Sequence, residues 1–431
     1  MKRTIPLLLL CVSISLNAQN VNKIIKEKNV SRIIKTLTAD DMMGRSAMDE
    51  KSINKAASFI EKEFESIGLT PLPGAVGFRQ EFSSYDRIET TSLSLIVDGQ
   101  KVNSDNIILY SDALAIKYGS NLPFGQIEKD KNFRATLRPY LSDTTSQIIF
   151  VAPEHEKEFH EIHGYLGGPR LIEKGKARKG SSIFVLGNPS PIFSIEAAQS
   201  LSPFSMTNVV GILEGKSKKD ELVVFSGHYD HLGVRPVVAG DSIANGADDD
   251  ASGTTAVIAL AKYFKKLKNN NRTLIFIAFT AEEIGGYGSQ YFSKQVNADK
   301  VVAMFNIEMI GKPSKWGPNN AFITGYERSD FGLILQKNLT DTNFQFRPDP
   351  YTEQNLFYRS DNATLARLGV PAHSISTDEI DIDKFYHTVD DEVGTLSISN
   401  LTSTIRAIAL SSRSIISGED TPKRIDKSTV R

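Results

Sequence analysis

Residues 274–279 read Leu-Ile-Phe-Ile-Ala-Phe, an unbroken apolar run that leads directly into Thr280-Ala281-Glu282-Glu283. A strand that is apolar on both faces is typical of a parallel sheet covered by helices on each side. Similar runs occur at Leu222–Ser226 and Val301–Phe305, and residues 256–267 have the pattern of a helix. This alternation predicts an α/β fold, with a mostly parallel central sheet flanked by helices.

The rest of the chain divides according to the spacing of its apolar residues. In Ser52–Ile67 these residues recur at helical spacing, whereas residues 83–201 show short strand-like runs separated by turns. We therefore expect residues 83–201 to form an inserted, mostly β module. The polar residues after 416 are expected to form a disordered tail. The predicted divisions are a signal peptide at 1–18, N-terminal helices at 19–82, the inserted module at 83–201, the main α/β domain at 202–416 and the tail at 417–431.

The first eighteen residues have the pattern of a secretory signal peptide. Lys2 and Arg3 precede an apolar stretch at 5–16, and Ala18 provides a small residue for cleavage. The stretch is too short to span about 30 Å of hydrocarbon, so we expect a secreted or periplasmic protein without stable membrane insertion. Cys11 is the only cysteine, so the mature protein is expected to lack disulfides and cysteine catalysis.

The overall charge is close to balanced. The chain has 50 Lys and Arg against 51 Asp and Glu, a formal net charge of −1. This balance provides no general attraction to nucleic acid or to an anionic membrane surface, so neither is expected as a partner. The sequence gives no indication of an oligomeric state.

Ionisable side chains follow three of the predicted strands. His228 and Asp230 follow the first, Glu282 and Glu283 the second, and Glu308 the third. Each has a structural reading by itself, such as a hydrogen-bonded polar side chain or a carboxylate at a helix N-terminus. Because ligands bind at the carboxyl ends of strands in open α/β sheets, their succession favours a shared functional site.

Two further segments carry candidate metal ligands. The loop 245–253 contains three successive carboxylates, Asp248, Asp249 and Asp250, whose repulsion favours a bound cation, although a solvated loop is the structural alternative. His387 lies in Phe385–Asp390. Imidazoles and carboxylates without a thiolate suit catalytic Zn²⁺.

The number of candidates then indicates how many ions are held. One open zinc site takes about four ligands including water. Two zinc ions per chain, sharing a carboxylate and a water, account better for the five candidate ligands, and they leave Glu282 free as a general base. These ligands are His228, Asp249, Glu283, Glu308 and His387.

These motifs, in this order, resemble the co-catalytic two-zinc aminopeptidase family of the clan MH metallopeptidases, which also includes glutamate carboxypeptidases and glutaminyl cyclases. The resemblance extends from about residue 208 to 390 and implies the fold of that family. It also implies a zinc-dependent exopeptidase, most simply an aminopeptidase that takes peptide substrates. The residues that carry it are Gly227–Gly233, Asn245–Gly253, Ala281–Glu283, Asn306–Met309 and Tyr386–Thr388.

The resemblance also implies a role for each residue. One zinc ion would be held by His228 and Glu308. The other would be held by Glu283 and His387, and Asp249 would bridge the two. A water shared by both ions would attack the scissile carbonyl, with Glu282 as general base.

Further implied features lie beside these ligands. The carboxylate of Asp230 would orient the ring of His228. The peptide bond between Asp249 and Asp250 would be cis.

Two positions depart from the family pattern, and the first of them leaves another activity open. Glu308 stands where aminopeptidases usually have Asp, which leaves a carboxypeptidase or dipeptidase open. Asn362 stands where a His often follows Asp361. A glutaminyl cyclase would need only one zinc ion, held by Asp249, Glu283 and His387. A non-catalytic binding module is disfavoured because the ligand candidates and the candidate base are all present.

Overall fold

The structure is a computed structural model that describes residues 21–431. The predicted signal peptide lies outside the described residues. The described residues form two compact units, one made of residues 21–81 together with 206–431, the other of Phe82–Ser205. The sequence analysis placed the limits of the inserted module at 83 and 201.

Strands and helices alternate through most of the described residues. The strands are β1 (Arg79–Val97), β2 (Gln100–Lys101), β3 (Ile107–Ser111), β4 (Ala115–Gly119), β5 (Phe124–Ile127), β6 (Gln147–Val151), β7 (Arg170–Glu173), β8 (Ser181–Leu186), β9 (Phe193–Leu213), β10 (Lys218–His228), β11 (Gly233–Val238), β12 (Asp241–Ala244), β13 (Arg272–Phe279), β14 (Val301–Ile307), β15 (Asn320–Ile323), β16 (Gln345–Pro348) and β17 (Ala372–Ser376). The α-helices that lie wholly within the described residues are α1 (Glu27–Leu37), α2 (Glu50–Ile67), α3 (Phe133–Ser142), α4 (Glu156–Leu166), α5 (Gly253–Leu267), α6 (Tyr287–Gln295), α7 (Phe331–Lys337), α8 (Asn362–Ala366), α9 (Ile398–Ser411) and α10 (Arg413–Ser417).

The first unit is built on a mostly parallel sheet. Strand β10 lies between β13 and β14 and runs parallel to both. Strand β17 extends this parallel order beyond β14, and β15 runs parallel to β16. Antiparallel pairs are formed by β9 with β13 and by β15 with β17. Parallel pairing therefore dominates this sheet, which confirms the predicted fold class.

Helices cover both faces of this sheet. All eight residues of β13 are buried. Leu274 and Phe276 belong to the core that includes residues of α2, α5 and α9, whereas Ile275 and Ile277 belong to the core that includes residues of α6 and α8. Helices therefore cover both faces of this strand, which explains why its sequence is apolar throughout and has no polar face.

The second unit has its own sheet, in the order β3-β8-β6-β5. Strands β5, β6 and β8 are parallel, and β3 is antiparallel to β8. Helices α3 and α4 bury Phe133 and Phe159 in a core with sheet residues such as Ile149 and Phe184. The unit is therefore mixed, with two helices that the expectation of a mostly β module did not include. The helices supply the crossovers that parallel strands require.

The end of the chain is ordered, so the expected disorder of the tail was wrong. Ile425 is buried in a core that includes Val370 and Ala372. Its backbone N–H donates to the carbonyl of Gly369 at 3.1 Å. Arg424 donates to the carbonyl of Val301 at 2.8 Å. The polar composition of this segment concealed its apolar contacts with the core, of which the Ile425 side chain is the buried one.

A search of residues 21–431 for a helix that is both long and apolar enough to traverse a bilayer finds none.

We expect Ile425→Ala to lower the free energy of unfolding by about 2–4 kcal/mol, because it leaves a cavity in a closed core. Urea denaturation followed by circular dichroism measures this change. Lys423→Ala, at an exposed position two residues away, is the matched control and should change little. Equal stability of the two variants would contradict the docked tail.

His373 lies on β17 and is fully buried. Its Nδ1 lies 2.8 Å from the carbonyl oxygen of Thr324, and its Nε2 lies 2.7 Å from the hydroxyl of Ser329. These partners are satisfied by a neutral ring that donates from Nδ1 and accepts at Nε2. Burial lowers the pKa of His373 from 6.5 to about 4.

This shift predicts acid sensitivity. Below pH 6.5 the unfolded chain binds a proton at residue 373, whereas the folded chain does not until about pH 4. The folded state therefore loses stability as the pH falls through this window, by roughly 3 kcal/mol for this one group. Urea unfolding of metal-free protein should show this loss in the parent and not in His373→Gln. Identical pH dependence in both would contradict the prediction.

Candidate metal centre

Three parallel strands bring the predicted ligands to one edge of the sheet. Strand β10 ends at His228, and its neighbours β13 and β14 end at Phe279 and Ile307. Glu282, Glu283 and Glu308 follow directly after these ends. The carboxyl ends of adjacent parallel strands lie side by side, so the structure collects these side chains in one cluster.

His228 occupies the buried side of the cluster. Its Nε2 lies 3.1 Å from Oδ1 of Asp249 and 3.2 Å from Oε1 of Glu308. Oε2 of Glu282 is farther from the same nitrogen, at 3.9 Å. The first two side chains therefore surround a point in front of Nε2, and Glu282 stands beside it.

His387 occupies the opposite side, where its side chain remains 28% exposed. Its Nε2 lies 3.2 Å from Oδ2 of Asp249 and 3.1 Å from Oε2 of Glu283. The two oxygens of Asp249 thus face different imidazoles. The structure brings together all five predicted ligands, with Asp249 in the centre.

The acidic loop is held by backbone hydrogen bonds that separate its three carboxylates. The N–H groups of Asp248 and Asp249 donate to the carboxylate of Asp391 at 3.0–3.1 Å. The peptide bond between Asp249 and Asp250 is cis, as the resemblance implies. Oδ1 of Asp248 points away from the imidazoles and accepts the N–H of Gly311 at 2.7 Å.

Asp250 joins the loop to the strands instead of facing the imidazoles. Its carboxylate accepts the N–H groups of His228, Gly253 and Met309 at 3.0–3.1 Å. A Cβ at residue 253 would lie 2.1 Å from the carbonyl oxygen of Ile307, so this approach requires glycine. Of the three loop carboxylates, only that of Asp249 lies between the two imidazoles.

Asp230 acts differently from the expectation. Nδ1 of His228 lies 3.0 Å from the main-chain carbonyl of Asp230 and 3.8 Å from its carboxylate. The carboxylate instead accepts the N–H groups of Glu282 and Glu283, at 3.1 and 3.3 Å. The carbonyl therefore orients His228, and the carboxylate fixes the turn that carries the candidate base.

Three side chains that the sequence analysis did not assign to the site contribute to it, those of His231, Ser360 and Arg45. Nδ1 of His231 lies 2.6 Å from Oε1 of Glu283, and with Asp249 these side chains form a group that could hold a metal ion. The hydroxyl of Ser360 donates to Oε2 of Glu308 at 2.5 Å. His231 lies within Gly227–Gly233, the first of the motifs quoted above, and this position was a signal for its role.

Arg45 had no such signal. It is fully buried and donates to the carbonyls of Tyr229 at 2.8 Å and Asn245 at 2.6 Å. These carbonyls belong to the two loops that carry His228 and Asp249. Because its partners are main-chain atoms about 200 residues away, no local pattern marks Arg45.

The charges of the cluster require compensation. Burial alone would raise the pKa of Asp249, but its contacts with His228 and His387 hold it well below the usual range. Burial alone would lower the pKa of His387, but its contacts with Asp249 and Glu283 raise it to about 10. Metal cations compete with protons for such nitrogens, so this arrangement favours a bound cation.

The donor set fits zinc. It consists of two imidazole nitrogens and three carboxylates without a thiolate, which matches catalytic zinc sites. Ligands about 2.1 Å from an ion at tetrahedral angles lie roughly 3.4 Å apart, close to the separations at His228 and His387. Oε1 of Glu283 and Nδ1 of His231 lie 2.6 Å apart, yet both are buried without a well-aligned hydrogen bond, as expected for two atoms that share a metal partner.

A pocket opens beside these carboxylates. Its polar wall includes Asp249, Glu282 and Glu308. The Tyr386 ring stacks on the His387 imidazole, with 3.8 Å between the ring centroids. A substrate side chain that enters the pocket also meets apolar surface. This surface is formed by Met309, Phe322, Leu356, Ile380 and Tyr386.

Comparison with known proteins identifies the region that carries the cluster. Residues 208–411 match peptidase family M28. A probable leucine aminopeptidase of Trichophyton verrucosum is 28% identical over 214 residues, which cover 46% of this chain and 53% of that protein. The chain therefore spans about half the length of this relative. It spans about a quarter of several fungal probable zinc metalloproteases.

Solved structures show the same fold. A zinc aminopeptidase from Bacillus subtilis aligns with a TM-score of 0.62 and 15% identity, covering 92% of this chain and 97% of that one. An aminopeptidase from Aneurinibacillus sp. strain AM-1 aligns with a TM-score of 0.61 and 16% identity, covering 96% and 98%. The resemblance read from the sequence is confirmed: residues 208–411 match peptidase family M28, and the fold is that of the two aminopeptidases.

Proposed function

We propose that the protein is a secreted aminopeptidase that holds two zinc ions and hydrolyses the N-terminal peptide bond of its substrates. One observation carries this proposal: the two oxygens of Asp249 face the Nε2 atoms of two different histidines, at 3.1 and 3.2 Å. A carboxylate so placed suits a bridge between two cations. The secreted location rests on the pattern of residues 2–18.

The proposed ligand sets follow from these distances. His228 and Glu308 would hold one ion, Glu283 and His387 would hold the other, and Asp249 would contact both. When bound, two zinc ions would acidify a shared water and polarise the scissile carbonyl. Ser360 restrains Glu308 by its hydrogen bond, which suits the longer side chain at this position.

Glu282 is suited to move the proton. Burial and the neighbouring carboxylates of Glu308 and Asp361 raise the pKa of Glu282, so its carboxylate has a high affinity for a proton. Asp230 fixes its backbone, and the side chain lines the pocket. We propose that Glu282 takes the proton of the attacking water and returns it to the leaving amine.

The alternative reactions need different residues of the ligand cluster. A glutaminyl cyclase needs only Asp249, Glu283 and His387. The close contact of His228 with Glu308, restrained by Ser360, supports a second ion and thus the hydrolase. The name of the Trichophyton relative, a probable leucine aminopeptidase, supports cleavage at the N-terminus, and the apolar part of the pocket supports apolar N-terminal side chains.

Zinc-loaded mature protein should release residues stepwise from the N-terminus of free peptides, and acetylation of the N-terminus should abolish release. Mass spectrometry of a panel of free and blocked peptides checks this expectation. Release from the C-terminus would instead establish a carboxypeptidase. Loss of ammonia from N-terminal glutamine without cleavage would establish a cyclase.

Glu282→Gln should retain both zinc ions and lower kcat by a factor of about 10²–10⁴, the usual contribution of a general acid–base group. Steady-state kinetics and elemental analysis of the same sample measure both quantities. Glu379→Gln, a half-buried acid outside the ligand cluster, serves as the control and should keep its activity. Near-normal turnover in Glu282→Gln would overturn the assignment of the base.

A further inference from the structure

Lys312 lies four residues after Glu308, behind the ligand cluster. Its side chain is only 16% exposed. Its main-chain carbonyl accepts hydrogen bonds from Thr377 at 2.5 Å and from Asn400 at 2.7 Å. The backbone at this position is therefore fixed, and the long side chain extends from an anchored point.

The ammonium of Lys312 contacts two carboxylates from different loops. Nζ lies 2.5 Å from Oδ2 of Asp383 and 3.3 Å from Oδ2 of Asp248. Both carboxylates are almost inaccessible to solvent, with side chains 4% and 0% exposed. Burial alone would lower the pKa of Lys312, but the surrounding carboxylates raise it, so the ammonium remains charged.

Each partner is directly connected to a proposed zinc ligand. Asp248 precedes the bridging Asp249, and its other oxygen accepts the N–H of Gly311. Asp383 lies four residues before His387, and its other oxygen accepts the N–H of Phe385 at 2.9 Å. Both carboxylates are thus held on one side by a backbone N–H and on the other by Lys312.

Lys312 also balances an excess of negative charge. The cluster of Asp248, Asp378 and Asp383 has ligand-type oxygens within 4.8 Å of one another. Burial and the two neighbouring carboxylates raise the pKa of Asp378 to about 9, so it is neutral near pH 7. Asp248 and Asp383 then depend on Lys312, because a buried carboxylate without a partner is strongly destabilising.

We propose that Lys312 is a positioning residue of the metal centre, whose ammonium joins the bridging-aspartate loop to the loop that carries His387. The proposal rests on the two-zinc site proposed above. Loss of the ammonium would leave Asp248 and Asp383 without their shared cation. Their loops would separate, and Asp249 and His387 would no longer be held at one spacing.

The two zinc ions should respond unequally. The site of Glu283 and His387 depends on both loops that Lys312 joins. The site of His228 and Glu308 is supported separately by Asp250, which bonds the N–H of His228, and by Ser360, which bonds Glu308. Loss of the Lys312 side chain should therefore weaken mainly the binding of the zinc ion at Glu283 and His387.

The test is a zinc titration of metal-free protein against a chromophoric chelator, which yields both dissociation constants without an assay of activity. We expect Lys312→Met to raise the dissociation constant of the zinc ion at Glu283 and His387 by about 10–100-fold, the usual effect of losing a group that orients a ligand. The other constant should change by less than threefold. The absorption spectrum of the Co²⁺-loaded variant should change for the same ion.

Two variants provide the controls. Lys315→Met removes the same charge from the same loop, but Lys315 is exposed and its ammonium lies over the rings of Trp316 and Tyr351, so both affinities should persist. Lys312→Arg keeps the positive charge and should restore most of the lost affinity. A merely structural role would lower the melting temperature without this pattern.

A third variant keeps the proposal testable if Lys312→Met does not fold. Asp383→Asn removes the partner with almost no change of shape, and it should weaken the same zinc ion. Unchanged zinc affinity in folded Lys312→Met, or in Asp383→Asn, would overturn the proposal. Parent protein that fails to bind two zinc ions would instead refute the two-zinc site on which the proposal rests.

Discussion

The carboxylate of Asp249, shared between His228 and His387, is the interaction on which the site depends. A side chain with two equivalent oxygens can face two partners at once, and here each oxygen lies within 3.2 Å of a different imidazole nitrogen. The backbone at this position is also fixed, because the carboxylate of Asp391 accepts a hydrogen bond from the N–H of Asp249. The separation of the two halves of the site is therefore set by one residue whose own position is fixed by the fold.

The principal constraint is electrostatic, since many carboxylates are buried together. Several of them are compensated by main-chain N–H groups at strand ends and loops, which carry partial positive charge without adding a mobile side chain. Asp250 accepts three such groups and Asp230 accepts two. The carboxylates of Asp249, Glu283 and Glu308 instead face His228 and His387, and those of Asp248 and Asp383 share Lys312. The hydrogen bonds of Asp248 and Asp250 to main-chain N–H groups explain why these side chains, although adjacent to Asp249, do not face the imidazoles.

The position of the site follows from the parallel sheet. The β10, β13 and β14 strands end together, so short segments after each end are sufficient to assemble the ligands. His387 comes instead from a loop near the end of the domain, and Arg45 from the N-terminal segment. Arg45, which is fully buried, donates to main-chain carbonyls of the loops that carry the candidate ligands, and Lys312, which is partly buried, pairs with carboxylates beside them. The metal centre therefore draws on parts of the chain that are widely separated in sequence.

The sequence by itself determined the fold class, the ligand candidates and the likeness to zinc aminopeptidases, because apolar strands and the charged residues after them are local patterns. Tertiary structure alone decided which atom of Asp230 orients His228, which of three adjacent aspartates is central, and that the polar tail docks through Ile425. It also decided the roles of Arg45 and Lys312. These depend on partners distant in sequence and on which way a side chain points, and no periodicity or spacing encodes either. The physical reason is that a buried charge is stabilised by whatever atoms the fold places around it, not by its neighbours along the chain.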